Sequence, residues 1–196
     1  MLYDTDWSLD MYVDRQAAES LAVAWGLAAR SRRSLVYVPL KAGRREGPKG
    51  LGEWRWSPVV LDLVLVHHSL GFPPSRWKAV RGRLGAGRPH TVEIPESDFP
   101  RDDEFDHAPR HFEGWRDELR FGLAADTLFL TGSARAFRTT GALLHSLVSD
   151  GPAQALRHPG SHECVTLEDE GHRTGWPRRV GPGVLHIQYA HGWGVA

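Results

Sequence analysis

The stretch of sequence that decides the fold is LDLVLVHHSLGFPPSRW, residues 61–77. It begins with an apolar, branched run that is typical of a strand covered on both faces. Two histidines and a serine follow where that strand ends, and Pro74 and Ser75 then suit the start of a helix. Because ligands in open sheets bind where strands run into helices, the strand exit at His67 is a candidate site.

Hydrophobic periodicity along the rest of the chain predicts both helices and strands. Four helices are predicted, at residues 14–30, 73–84, 112–124 and 133–151. Six strands are predicted, at residues 34–40, 54–68, 89–95, 126–132, 162–168 and 184–190. This order predicts an α/β or α+β fold, with residues 1–196 forming a single layered domain. We expect a mixed sheet of about six strands, packed by about four helices.

A second strand exit lies at residues 131–133, where the apolar strand at 126–132 runs into the following helix. Two buried strand-to-helix units favour parallel pairing, whereas the last two strands are predicted to be antiparallel. If the strands at 61–67 and 126–132 are parallel neighbours, both exits open on the same edge of the sheet.

The residues at this edge are those that a hydrolase or transferase site would need. A histidine exchanges protons near neutral pH, a serine hydroxyl can attack an electrophile, and arginines at a helix start can hold a phosphate or a carboxylate. The predicted catalytic residues are His67, His68, Ser69 and Ser133, and the predicted anion-binding residues are Arg135 and Arg138. A structural interpretation is favoured over this one: Ser133 caps the helix, the arginines are solvated, and one histidine is buried with a partner.

Two histidine pairs have the i, i+4 spacing that lets imidazoles meet one zinc ion. They are His107 with His111, and His158 with His162 shortly before Cys164. A proline interrupts each pair, so polar loop histidines are favoured over ligands. No metal and no cofactor are predicted.

The bulk composition excludes several classes of protein. The formal net charge is zero, so nucleic acid is not expected as a partner. Cys164 is the single cysteine, which rules out an intramolecular disulfide and suits a reducing cytoplasm. The apolar run from Val59 to Val66 is interrupted by Asp62 and is too short to cross a bilayer. We therefore expect a cytoplasmic protein with no membrane partner.

Two classes of function remain open. The favoured interpretation is a non-catalytic binding or accessory protein that acts through the charged loops at 41–53 and 96–111 and through exposed Trp176 and Trp193. The alternative is a small hydrolase or transferase acting on a phosphate- or carboxylate-bearing substrate, with a histidine general base at the strand exits. No complete catalytic motif is present, which favours binding. A protein partner or a small anionic ligand is expected, and the oligomeric state is left open.

Overall fold

Two β-sheets frame the part of the chain that the structure, a computed structural model, describes. The described residues are 1–4, 8–43, 59–98, 102–106, 108, 117–158, 163–169 and 183–190.

The described strands and helices are numbered in chain order. The strands are β1 (Leu2–Asp4), β2 (Leu9–Val13), β3 (Leu35–Val38), β4 (Val59–Val60), β5 (Asp62–His67), β6 (Arg120–Leu123), β7 (Thr127–Gly132), β8 (Cys164–Glu168) and β9 (Val184–Tyr189). The α-helices are α1 (Arg15–Arg30), α2 (Trp77–Arg81), α3 (Ala134–Ser149) and α4 (Gly151–Arg157).

Five described strands form the first sheet, in the order β4-β1-β2-β9-β8. The pair β2 and β9 is parallel, and the other pairs are antiparallel. Side chains alternate between the two faces of a strand. Leu9 and Met11 of β2 therefore join the main hydrophobic core, and Asp10 and Tyr12 occupy the opposite face.

Four described strands form the second sheet, in the order β3-β5-β7-β6. As expected, β5 and β7 are parallel neighbours, and the other two pairs are antiparallel. Strand β5 is buried on both faces. Leu63 and Leu65 lie in the main core, while Val64 and Val66 pack with Trp77 in a second cluster on the other face.

Helices α1 and α3 pack against each other and contribute to the main core. Helix α1 agrees with the helix predicted at 14–30. Asp14 is its N-cap, because the Asp14 carboxylate accepts a hydrogen bond of 2.8 Å from the Ala17 amide. The rings of Trp25 and Phe137 meet edge to face, with centroids 6.2 Å apart. This core also contains residues of both sheets.

The prediction of one mixed sheet of about six strands is wrong, because nine strands in the described part of the chain form two sheets. No strand was predicted in residues 1–13, yet β1 and β2 lie in this range. The predicted strand at 89–95 has no regular secondary structure. The predicted helix at 73–84 begins with a 3-10 turn and ends at Arg81.

The predicted helix at 112–124 is also wrong at its end, where residues 120–123 form β6. A two-residue loop, Ala125-Asp126, connects β6 to β7. Both residues have positive φ values, 48° and 52°, and Ala124 and Thr127 exchange backbone hydrogen bonds of 3.1 Å. These are the features of a type I′ hairpin turn.

None of the helices in the described ranges is both long and apolar enough to span a bilayer.

Candidate functional site

The exits of β5 and β7 lie side by side at one edge of the second sheet. His67, the last residue of β5, is the register partner of Gly132, the last residue of β7. Gly132 lets the following helix approach closely, since a Cβ atom there would lie 2.8 Å from Leu119 Cδ2 and 3.1 Å from Ala136 Cβ. The candidate residues at 67–69 and at 133 therefore share one edge.

His67 is a buried histidine with a local structural role. Its side chain is 4% exposed, and its Nδ1 accepts a hydrogen bond of 3.3 Å from the Ser69 amide. The Ser69 hydroxyl lies 2.8 Å from the same nitrogen and donates to the carbonyl oxygen of Arg32 at 3.2 Å. His67 thus caps the 3-10 turn at His68–Leu70, which ends at Gly71 with a φ of 58°.

The surroundings of His67 keep its imidazole neutral. Burial lowers the pKa of His67 below its usual value of 6.5, and the neighbouring His68 and Arg32 lower that pKa further. The ring of His68 contacts it edge to face, with centroids 4.9 Å apart. A neutral imidazole beside an exposed serine hydroxyl is the first part of a base-and-nucleophile pair.

The other predicted site residues are engaged within the protein. Ser133 is buried, and its hydroxyl accepts a hydrogen bond of 3.0 Å from the Ala136 amide as the N-cap of α3. Arg135 donates to the carbonyl oxygen of Asp106, and Arg138 to that of Ser97, each at 3.2 Å. Both arginines are exposed. They hold Ser97 and Asp106, which belong to the charged loop at 96–111 (the acidic segment), against α3.

The two exits are adjacent, but their side chains are not joined by hydrogen bonds within the described residues. No hydrogen bond within the described residues joins His67 or Ser69 to Ser133. The structure therefore brings the predicted residues to one edge without connecting them as a catalytic unit.

The histidine pairs lie largely outside the described residues, which do not include His107, His111 and His162. Within the described ranges, no three histidine, cysteine or acidic side chains are placed to hold a metal ion. Burial raises the pKa of the Cys164 thiol, as does the neighbouring Glu163 carboxylate, so the weakly nucleophilic thiol form is favoured. Trp176 and Trp193 also lie outside the described residues.

Asp62, a carboxylate inside β5, is stabilised by partners from three directions. It accepts hydrogen bonds from the Tyr37 hydroxyl at 3.0 Å and from the Lys41 amide at 2.9 Å, and Arg81 Nη1 lies 3.5 Å away. Arg81 also donates to the carbonyl oxygen of Ala125 at 3.1 Å. This network joins α2 to the amino-terminal end of β5, opposite the His67 exit.

A polar pair on the first sheet was missed by the sequence analysis because β2 was not predicted. Asp10 is buried, and its Oδ1 lies 3.5 Å from Nδ1 of His186, its register partner on β9. Ser8 donates to the other carboxylate oxygen at 2.8 Å, and Gln188 Nε2 lies 3.0 Å from the imidazole. Burial and the Asp10 charge raise the pKa of Tyr12, on the same face, to about 12. The alternation of polar and apolar residues in 9–13 was the available signal.

Residues 82–95, the 82–95 segment, form an exposed stretch without helix or strand. Leu84 and Val92 are 53% and 45% exposed. From Arg88 to Ile94, no hydrogen bond to a described residue is present.

Comparison with protein families, with curated proteins and with solved structures finds no match to this chain.

Proposed function

We propose that this chain is a non-catalytic binding protein, and that it contacts another protein through the 82–95 segment. The observation that carries the proposal is the exposure of Leu84 and Val92 on this segment, together with the lack of a hydrogen bond to a described residue from Arg88 to Ile94. Large apolar side chains in water are unfavourable, and burying them against a partner recovers about 25 cal/mol for each Å² of apolar surface.

Charge in the 82–95 segment suits recognition of a protein surface. Arg83, Arg88 and Glu93 are exposed near the apolar side chains. A small apolar centre with charged residues around it is the usual composition of a protein–protein contact.

The alternative, a small hydrolase or transferase on an anionic substrate, receives less support. Its base and hydroxyl are present in His67 and Ser69, 2.8 Å apart. Its proposed anion holders, Arg135 and Arg138, instead donate to backbone carbonyl oxygens of the acidic segment. Ser133 caps a helix. The positions of these residues therefore support a binding function better than an enzymatic one.

Site-specific photo-crosslinking in the native cell tests the proposal. We expect a photoreactive phenylalanine at Val92 to form a defined adduct, because the side chain at this position would be buried in the complex. The matched control places the same group at Val23, which is 39% exposed on α1. Mass spectrometry of the adduct identifies the attached protein. Equal labelling from both positions would refute the proposed contact.

A further inference from the structure

We propose that residues 90–94 of the 82–95 segment add as an antiparallel strand to the open edge of β6 in a second copy of this chain. Glu93 of one copy would lie opposite Arg120 of the other. This inference rests on the proposed binding function and names its partner. Strand addition of this kind uses main-chain hydrogen bonds for affinity and alternate side chains for specificity.

Strand β6 offers an open edge in the described part of the second sheet, where β7 pairs with its other side. Ala124 and Thr127 form a hydrogen-bonded pair next to the turn. Hydrogen-bonded and non-hydrogen-bonded pairs alternate along an antiparallel ladder. The N–H and C=O groups of Phe121 and Leu123 therefore point outward, towards an incoming strand.

The 82–95 segment has the pattern of a strand but no strand partner within the described residues. Thr91 to Ile94 alternates between polar and apolar side chains. Placing Glu93 opposite Arg120 puts Val92 opposite Phe121 and His90 opposite Leu123. The pairing N–H groups are then those of even-numbered residues, so Pro89 and Pro95, which lack this group, interrupt no hydrogen bond.

The same register also matches the two faces of the sheet. Phe121 packs against the main core, whereas Gly122 faces Pro74 and Phe129 on the other side. Val92 would therefore extend the apolar face that Phe121 begins. A shift by one residue would move Val92 to the face of Arg120, which is why a partly buried face specifies register.

Charge selects this register over a shift by two residues. The Arg120 side chain lies 3.5 Å from the largely buried Glu118 carboxylate and is itself 59% exposed, so most of its surface remains in solvent. Glu93 directly opposite would give it a cross-strand partner, and opposite charges in such pairs are stabilising. A shift by two residues would place Glu93 opposite Gly122 or Glu118 and would remove this interaction.

A second copy is the partner that these features specify, because the donor strand and the acceptor edge occur on the same chain. Each copy provides one of each, and we take the two pairings to form together, which gives a two-fold dimer in place of an open chain. The formal net charge of zero leaves little repulsion between copies at neutral pH. Leu123, which is 40% exposed, would be covered in the dimer.

Sedimentation velocity of the purified full chain over a range of concentrations tests the inference. We expect a reversible monomer–dimer equilibrium. Glu93→Arg and Arg120→Glu each place like charges opposite one another and should weaken the dimer about tenfold, which corresponds to about 1.4 kcal/mol. The double charge exchange should restore it. Val92→Pro removes a pairing N–H group and should abolish the dimer. Leu156→Ser, on α4 and 68% exposed, lies outside the 82–95 segment and should not change the dimer.

Amide hydrogen exchange provides the second readout. The amides that pair in the dimer should be protected from exchange at high protein concentration and should exchange at low concentration. These are the amides of Phe121, Leu123, His90 and Val92. A chain that stays monomeric at all concentrations would refute the inference, as would a dimer that the two charge variants leave unchanged. If crosslinking from Val92 then captured a different protein, the proposed binding function would stand and only its assignment to a second copy would fail.

Discussion

His67 stabilises the exit of β5 as a neutral imidazole. Its Nδ1 accepts a hydrogen bond from the Ser69 amide. This hydrogen bond is possible only while Nδ1 carries no proton. Protonation would convert the acceptor into a donor and would place a positive charge beside Arg32 in a buried position. The same features that suggested a catalytic base therefore give the residue a structural role.

We expect the free energy of unfolding to fall below about pH 6.5 in a way that depends on His67. The pKa of His67 is lowered in the folded state, so the unfolded state takes up the proton first. The stabilisation is complete above the unfolded pKa and is lost as the pH falls towards the folded one. His67→Asn retains a side-chain acceptor without titrating and should flatten this dependence.

Urea denaturation at about pH 7.5 and about pH 5 measures the effect. His90→Asn is the matched control, since His90 is exposed and makes no hydrogen bond to a described residue. Identical pH dependence in the wild type and the His67→Asn variant would contradict the prediction.

Single-residue roles could be predicted from the sequence where the partner is local. Asp14 and Ser133 cap helices that begin at the next residue, and such caps follow from residue type and position. Arg135 and Arg138 differ, because their acceptors lie 29 and 41 residues earlier in the chain. No local pattern specifies those contacts. The sequence therefore suggested that the two arginines bind an anion, whereas in the structure they donate hydrogen bonds to backbone carbonyl oxygens.

At the scale of elements, the continuous apolar runs of β5 and β7 were predicted correctly, whereas the short strands β1, β2 and β6 were not. Strands β5 and β7 bury side chains on both faces, which makes their sequences distinctive. Strand β6 has only the four residues Arg120–Leu123, which is too short for a clear alternating pattern. The apolar residues before it have helical spacing, so the helix prediction was extended through β6. The turn residues are Ala125 and Asp126 in place of the usual Asn-Gly, so the hairpin had no sequence signal.

Ala125→Asn should stabilise the β6–β7 hairpin by about 1 kcal/mol, because asparagine tolerates positive φ better than alanine does. Thermal unfolding should then shift upward by about 2–4 °C for a chain of this size. Ala125→Val is the matched opposite, since a β-branched residue at positive φ is strained and should lower the unfolding temperature. The unfolding temperature should be highest with asparagine at position 125, lower with alanine and lowest with valine. Any other order would contradict the assigned turn.

At the scale of the whole molecule, the pairing of distant strands could not be predicted from local patterns. Strand β2 pairs with β9 in register from Leu9 and Leu185 to Val13 and Tyr189, although the two lie near opposite ends of the chain. Alternation tells which face of a strand is apolar but not which strand lies beside it. One sheet was therefore predicted where the described strands form two.

The main core contains residues of both sheets and of α1 and α3, so we expect the two sheets to unfold in a single transition. Leu128→Ala in the second sheet and Leu185→Ala in the first should each lower the free energy of unfolding by about 2–5 kcal/mol, because each leaves a cavity in that core. Far-UV circular dichroism and tryptophan fluorescence should report the same shifted midpoint for both variants. Leu156→Ala is the control, since Leu156 is 68% exposed and should change stability by less than about 0.5 kcal/mol. Two separate transitions, each sensitive to the variant in one sheet alone, would show that residues 1–196 are not a single cooperative domain.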